Sequence, residues 1–276
     1  MNLFSRIPND SFLEGREAMP ETAKKKVTVV MPAYNAAKTL KETHERIPHD
    51  LVDEIILVDD ASRDDTYSRA QELGIVSLRH RYNLGYGGNQ KTCYSEALAR
   101  GADVVVMLHP DGQYDPSFLK PLIEPILTGE MDVMLGSRML HPNNALKGGM
   151  PIWKYFSNIF LTTLENLTLG QKLAEYHTGY RAYSRYFLET IPFLRNSNDF
   201  VFDTQVLVQA VQFKMKIGEI PISTKYFKEA SSVNFGASLV YGTKTLGVLF
   251  RYLLHKGRIL SYRPLLPVLL AFFYAR

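Results

Sequence analysis

Short apolar runs alternate with longer amphipathic stretches along this chain, and the alternation predicts an architecture before any single residue does. The runs at 27–31, 54–58, 75–78, 104–108, 132–135 and 217–222 are rich in Val, Ile and Leu. Each is too short for a helix and reads as a buried strand. Between them, residues at helical spacing share a face: Leu40, Thr43, His44 and Ile47 behind an Asn35 cap, then Tyr67, Ala70 and Leu73 behind Ser62 and Asp65. Further helices are expected at 89–100, closed by Gly101, and at 116–127, 201–211 and 239–254. Trp153, Phe156, Phe160, Leu164 and Leu167 form another broad apolar stripe. Strands alternating with helices imply right-handed crossovers and a mainly parallel, Rossmann-like α/β sheet flanked by helices. Residues 1–26 read as a loose arm, 27–236 as the main domain and 237–276 as a C-terminal amphipathic region.

The polar clusters add chemistry to this frame because nearly all of them fall just after a strand. Pro32, Ala33, Tyr34 and Asn35 follow the first; Asp59, Asp60 and Ser62 follow the second; Arg79 to Asn83, with Gly85 beyond, follow the third. The 104–108 run leads directly into His109, Pro110, Asp111, Gly112, Gln113 and Tyr114. Ligands of open α/β sheets bind at the carboxyl edge of the strands, so these clusters converge on one site suited to a nucleotide or similar phosphate ester. In an extended segment His109, Asp111 and Gln113 would share a face and offer a hard cation nitrogen and oxygen ligands, with water and phosphate completing the shell. Arg138, after the fifth strand, can hold an anion. Residues 139–150 suit a loop beside the cleft, and 175–181 form a second polar and aromatic cluster in which His177 reads as structural rather than as a ligand. Gly85, Gly87 and Gly88 resemble a dinucleotide loop only loosely, since the full spacing is missing; a turn and helix start fit them better.

Composition narrows the partners. A formal net charge of +4, without a compact Lys/Arg block, argues against nucleic acid. The single cysteine, Cys93, cannot form an internal disulfide and fits a reducing compartment. No window is long and apolar enough to span a bilayer, and 265–274 comes nearest. Lys256, Arg258 and Arg263 flank that last apolar segment, a pattern that suits the surface of an anionic membrane. The expected location is cytoplasmic, peripheral at the cytoplasmic face of a membrane; contact within a homo-oligomer is the competing account of the same apolar surface.

Taken in order, 32–35, 58–62 with Asp64 and Thr66, Asn83 and Gly85, 111–113, 136–138 and 178–181 resemble the family 2 glycosyltransferases of GT-A fold. The branch containing dolichyl- and polyprenyl-phosphate sugar transferases is the most similar. The resemblance runs from about 27 to 254 and implies inverting transfer of a sugar from a nucleotide-sugar donor (UDP or GDP). The implied acceptor is a polyprenyl or dolichyl phosphate. It places Ala33, Tyr34 and Asp60 around base and ribose, and Asp111 and Gln113 on a divalent metal, Mg2+ or Mn2+. Arg138 and Arg181 would face donor or acceptor phosphates, and Asp203 would be the base if the acceptor were a hydroxyl. Two positions depart from the family pattern. His109 stands where the metal motif usually has its first aspartate, and Ala36 where an acidic residue often follows Tyr-Asn. A soluble sugar, metabolite or protein acceptor, and a non-catalytic nucleotide-sugar-binding subunit, are the alternative readings.

Overall fold

The computed structural model describes residues 24–141, 144–224 and 235–267. Nearly all of the expected arm, and most of the 265–274 segment, lie outside the described residues. Strands β1 (Val27–Ala33), β2 (Glu54–Asp59), β3 (Val76–Arg79), β4 (Val104–Met107), β5 (Val133–Ser137), β6 (Arg181–Ser184) and β7 (Ile217–Pro221) form one sheet in the order β3-β2-β1-β4-β6-β5-β7. The pairs β1/β2, β1/β4, β2/β3 and β5/β7 are parallel, as the alternation predicts. β6 is the exception: it runs antiparallel between β4 and β5, with Arg181 opposite Met107 on one side and Leu135 on the other. Apolar patterning does not announce this strand, because it opens on an arginine and follows a polar cluster.

The antiparallel insertion positions the site. A parallel strand brings only its end to the carboxyl edge, but β6 begins there, so 175–180 enter beside the turn after β4 and the end of β5. That turn starts earlier than expected. β4 stops at Met107 and Gly112 takes a φ of 74°, so His109, Asp111 and Gln113 are gathered by a turn rather than by strand alternation.

Helices α1 (Leu40–Glu45), α2 (Thr66–Glu72), α3 (Tyr86–Ala99), α4 (Leu119–Leu127), α5 (Asn144–Lys147), α6 (Ile152–Leu169), α7 (Arg185–Thr190), α8 (Phe202–Gln212) and α9 (Phe235–Lys256) cover the sheet. Strand residues alternate between two buried layers. Val30, Ile56, Val105 and Met107 join Tyr94, Phe202, Leu207, Leu249 and Tyr252 in one layer, while Val29, Leu57, Val104 and Val106 join Leu40, Leu119, Leu122 and Ile126 in the other. Through Val248, Leu249 and Tyr252, α9 packs into the same core as the preceding domain and touches α6 and α8.

Two helix starts differ from the reading of the sequence. Asn35 is not a cap: it sits at φ 53°, its N–H donating to Ser62 Oγ (2.8 Å) and its Oδ1 accepting from Arg63 N (2.9 Å), and α1 begins only after Thr39. α3 begins at Tyr86 rather than 89 because its glycines are packing positions. A Cβ on Gly87 would lie 2.6 Å from both Phe202 Cβ and Ser197 O. The amides of Gly87 and Gly88 donate to Asn198 O (2.8 and 3.3 Å), which occupies the helix N-terminus with protein. In the 139–150 stretch, a single helical turn is tied down by buried Ala145 and Met150.

The outward faces of α6 and α9 are apolar. Ile152, Phe156, Phe160 and Leu167 on α6, and Leu239, Val240, Phe250 and Leu253 on α9, are each at least about half exposed. Among the described residues, no helix is long and apolar enough to cross a membrane.

Candidate active site

A cleft of about 500 Å³ opens at the carboxyl edge, within the range of small-molecule sites. Pro32, Ala33, Tyr34, Asp60, Asn83, Gly85, His109, Asp111, Gln113, Arg138 and Asp203 line it. Four expected site residues, Asn35, Asp59, Ser62 and Arg181, do not.

On the side formed by the ends of β1 and β2, Asp60 acts as a staple. Its Oδ1 accepts from Leu84 N (2.8 Å) and lies 2.7 Å from His80 Nδ1; its Oδ2 accepts from Gly85 N (3.0 Å). Its own N–H donates to Ala33 O (2.8 Å), and its carbonyl accepts from Asn83 Nδ2 (3.2 Å). One carboxylate thus fixes the 83–85 turn against the end of β1. Asp59 is fully buried, accepting from Ser62 N (3.2 Å) with Oδ1 and pairing with Arg79 Nε (3.1 Å) through Oδ2. Asp64 accepts from Ala37 N and from Thr66, whose Oγ1 in turn accepts from Ala36 N. The 59–66 motif therefore shapes the backbone beneath Tyr34, and Asp59, Ser62 and Asn35 support the cleft from behind.

In the turn after β4, Asp111 Oδ1 accepts from Gln113 N (3.0 Å), and its other oxygen accepts no hydrogen bond from the described residues. The His109 ring stacks on Tyr86 (5.5 Å between centroids, 25°) and lies tilted against Tyr114. Gly179 makes room for it: a Cβ there would lie 2.9 Å from His109 Cδ2 and 3.0 Å from Tyr114 Oη. The Tyr114 hydroxyl accepts from Gly179 N (2.7 Å), joining this turn to the start of β6. Among the described residues there is no cluster of three His, Cys, Asp or Glu able to hold a metal alone. The second Asp111 oxygen, with His109 and Gln113 lining the same cleft, fits a divalent ion that would take its remaining ligands from diphosphate oxygens and water.

The opposite wall comes from β5, the 175–179 segment, α6 and α9. Arg138 N donates to Glu175 Oε2 (2.7 Å) and Nε to Oε1 (2.8 Å); a terminal nitrogen contacts Oε1 and donates to His177 O (2.8 Å). Glu175 is completely buried and also accepts from Asn158 Nδ2 (2.8 Å). Burial alone would raise its carboxyl, but the Arg138 charge and the hydrogen bonds it accepts outweigh that and hold it below the usual glutamate range. Arg138 thus reaches the cleft already matched by a carboxylate. Lys154 also lines the wall, and burial, followed by the Arg138 charge, brings its ammonium down to about 8. His177 Nδ1 meets the Tyr241 hydroxyl (2.8 Å), while Nε2 lies 3.1 Å from buried Glu165.

The floor corrects the expectation for Arg181. Arg181 does not face a phosphate: it is fully buried, donating to Thr178 O (2.7 Å) and Tyr176 O (2.9 Å) and lying 3.4 Å from Asp203 Oδ2. It ties the start of β6 to α8. Asp203 lines the cleft but has both oxygens engaged, Oδ1 by Gln90 Nε2 (3.1 Å) and Oδ2 by the Tyr86 hydroxyl (2.8 Å). Each of these oxygens already accepts one hydrogen bond from the protein, which holds the Asp203 carboxylate in place at the floor of the cleft. Sequence reading missed Tyr86, Lys154 and Tyr241. Tyr86 is hidden by flanking glycines, and Tyr241 has no local motif. Lys154 was visible as the one cation inside an aromatic stripe.

The frame and cleft are those of a GT-A glycosyltransferase, and comparison with known proteins agrees. Residues 28–191 match the family described as Glycosyl transferase family 2, and the chain belongs to it. It is 28% identical over 257 residues to a UDP-N-acetylglucosamine–dolichyl-phosphate N-acetylglucosaminyltransferase of Methanococcus voltae, covering 87% of this chain and all of that one. An undecaprenyl-phosphate mannosyltransferase of Micrococcus luteus is 29% identical over 206 residues, covering 72% of this chain and 83% of that one. Among solved structures, glucosyl-3-phosphoglycerate synthase from Mycobacterium tuberculosis, complexed with Mn2+, UDP and glucosyl-3-phosphoglycerate, shares the fold with a TM-score of 0.63 at 19% identity. That match covers 86% of this chain and 81% of the other.

Proposed function

We propose that this glycosyltransferase moves a sugar, with inversion, from a UDP- or GDP-sugar to a polyprenyl phosphate at a membrane surface. One observation carries the reading: the helices that wall the acceptor side of the cleft also bear the exposed apolar faces. α6 contributes Lys154 to the cleft and Phe156 and Phe160 to the outside; α9 contributes Ser238 and Tyr241 inside and Leu239 and Val240 outside. An amphipathic acceptor could place its phosphate against Lys154 and Arg138 while its chain stays in the bilayer. The names of the relatives from Methanococcus and Micrococcus, both transferases to lipid phosphates, support the same acceptor class.

The chemistry follows from the groups on hand. A phosphate monoester has a second pKa of about 6 and near neutrality already carries an attacking oxyanion, so it needs no base. An Asp203 held by Gln90, Tyr86 and Arg181 is consistent with that nucleophile. The acceptor oxygen attacks the anomeric carbon as its bond to the nucleoside diphosphate breaks, the electron pair leaving with the diphosphate. Asp111, with His109 and Gln113, would hold a divalent ion that neutralises this leaving charge. Tyr34 and Asp60 would meet the nucleoside, and Lys154 the incoming phosphate.

Two assays test the reading. Purified protein given UDP- and GDP-sugars should glycosylate a short-chain polyprenyl phosphate, and transfer only to polyprenols, soluble sugars or protein would overturn the acceptor assignment. The triple change Phe156→Ser, Phe160→Ser, Phe250→Ser should lower co-sedimentation with anionic vesicles at least about tenfold, since each buried phenylalanine is worth roughly 1.5–3 kcal/mol. Unchanged partitioning, with a change in oligomeric mass instead, would assign the face to self-association.

A further inference from the structure

The buried chain beneath the cleft has a directional logic. The Tyr86 hydroxyl meets a carboxylate oxygen, which can only accept, so the phenol donates its single proton there. That proton goes to Asp203 Oδ2 at 2.8 Å, the carboxylate being held in turn by Gln90 and Arg181. The Tyr86 oxygen, having spent its only hydrogen, can only accept from its other neighbour, His109 Nε2 at 3.3 Å. His109 is thereby assigned the tautomer with hydrogen on Nε2. The Cδ2–Nε2 edge of the ring faces Gly179 and Tyr86, and the opposite edge carries Nδ1, which makes no hydrogen bond to the described residues.

We infer that Arg181, Asp203 and Tyr86 form a positioning relay that fixes the His109 tautomer and presents the Nδ1 lone pair to the divalent ion beside Asp111. The inference rests on the metal-assisted reading above and deepens it. His109 then replaces a carboxylate by a neutral ligand with a prepared orientation, as metal-bound histidines generally are by a partner on their other nitrogen. Imidazole in place of carboxylate shifts preference from magnesium towards softer transition ions, and Mn2+ serves as the paramagnetic probe of that nitrogen. The relay also gives buried Arg181 and committed Asp203 a reason to lie under the cleft without touching substrate.

Two spectroscopic measurements test this without turnover. In metal-free protein, two-bond 1H–15N correlation spectra should show a protonated Nε2 and an unprotonated Nδ1 for His109. The reverse pattern would overturn the relay. With UDP or GDP present, bound Mn2+ should show a 14N hyperfine coupling by pulsed electron paramagnetic resonance that disappears in His109→Ala. Tyr86→Phe keeps the stacked ring but loses the acceptor; it should redistribute the tautomers and weaken Mn2+ binding about 10-fold or more, the usual scale for such partners. Mn2+ binding that requires Asp111 but shows no nitrogen coupling in the wild type would overturn the inference alone. Failure of the wild type to bind Mn2+ with either nucleotide would overturn the metal reading as well.

Discussion

Asp111→Asn is expected to lower sugar transfer by about 10³-fold while leaving the fold intact. Asp111 is the carboxylate in the turn after β4, and one of its oxygens accepts no hydrogen bond from the described residues. The change keeps the side chain's size and its hydrogen bond from Gln113 N, so stability should hold. Under the proposed assignment, what disappears is the negative charge that would draw a divalent ion to the leaving diphosphate, and removing a single electrostatic stabiliser of developing charge typically costs 10²–10³ in turnover. The measurement is initial rate against Mn2+ concentration for wild type and mutant, with thermal melting as a control. Wild-type turnover with unchanged metal dependence in the mutant would remove Asp111 from the site.

Glu175→Ala should be the most destabilising single change at the cleft. Removing one partner of a buried ion pair costs about 3–5 kcal/mol because the other charge is left unmatched, and here Arg138 would be stranded beside Lys154. For a chain of this size that is a fall of roughly 10 °C in melting temperature. The same pair dictates a pH response. Glu175 has its folded pKa depressed below the ordinary value of about 4.3, so its contribution is fully present above that value and is lost as pH falls through the folded pKa. The wild type should therefore lose stability below about pH 4 more steeply than Glu175→Gln. Parallel acid-unfolding curves for the two proteins would show that the pair contributes no net stability.

Much of this was legible because periodicity reports burial. The expected strands at 27–31, 54–58 and 104–108 overlap β1, β2 and β4, and the polar clusters after them do gather at one edge. What escaped was wherever polar residues are buried with polar partners. β6 opens with Arg181, whose burial depends on carbonyls from 176 and 178 and on Asp203, all remote in pattern though two are near in sequence. Asp59 and Ser62 read as ligand contacts because motif position cannot distinguish a side chain that touches the ligand from one that shapes the loop beneath it. The α3 start was obscured because Gly87 and Gly88, poor helix formers, are there to admit the 197–202 segment.

The antiparallel placement of β6 has an evolutionary consequence. The ends of β1, β2 and β4 carry Tyr34, Asp60 and Asp111, whereas Arg138, His177, Lys154 and Tyr241 come from β5, the approach to β6, α6 and α9. The two sets meet along one seam, where Met107 pairs with Arg181 and Tyr114 holds Gly179. Under the proposed assignment, recognition of the donor and of the acceptor is divided between the two banks of that seam. Lineages could then diverge in what they glycosylate by remodelling the second bank, while the first continues to read the same activated sugar.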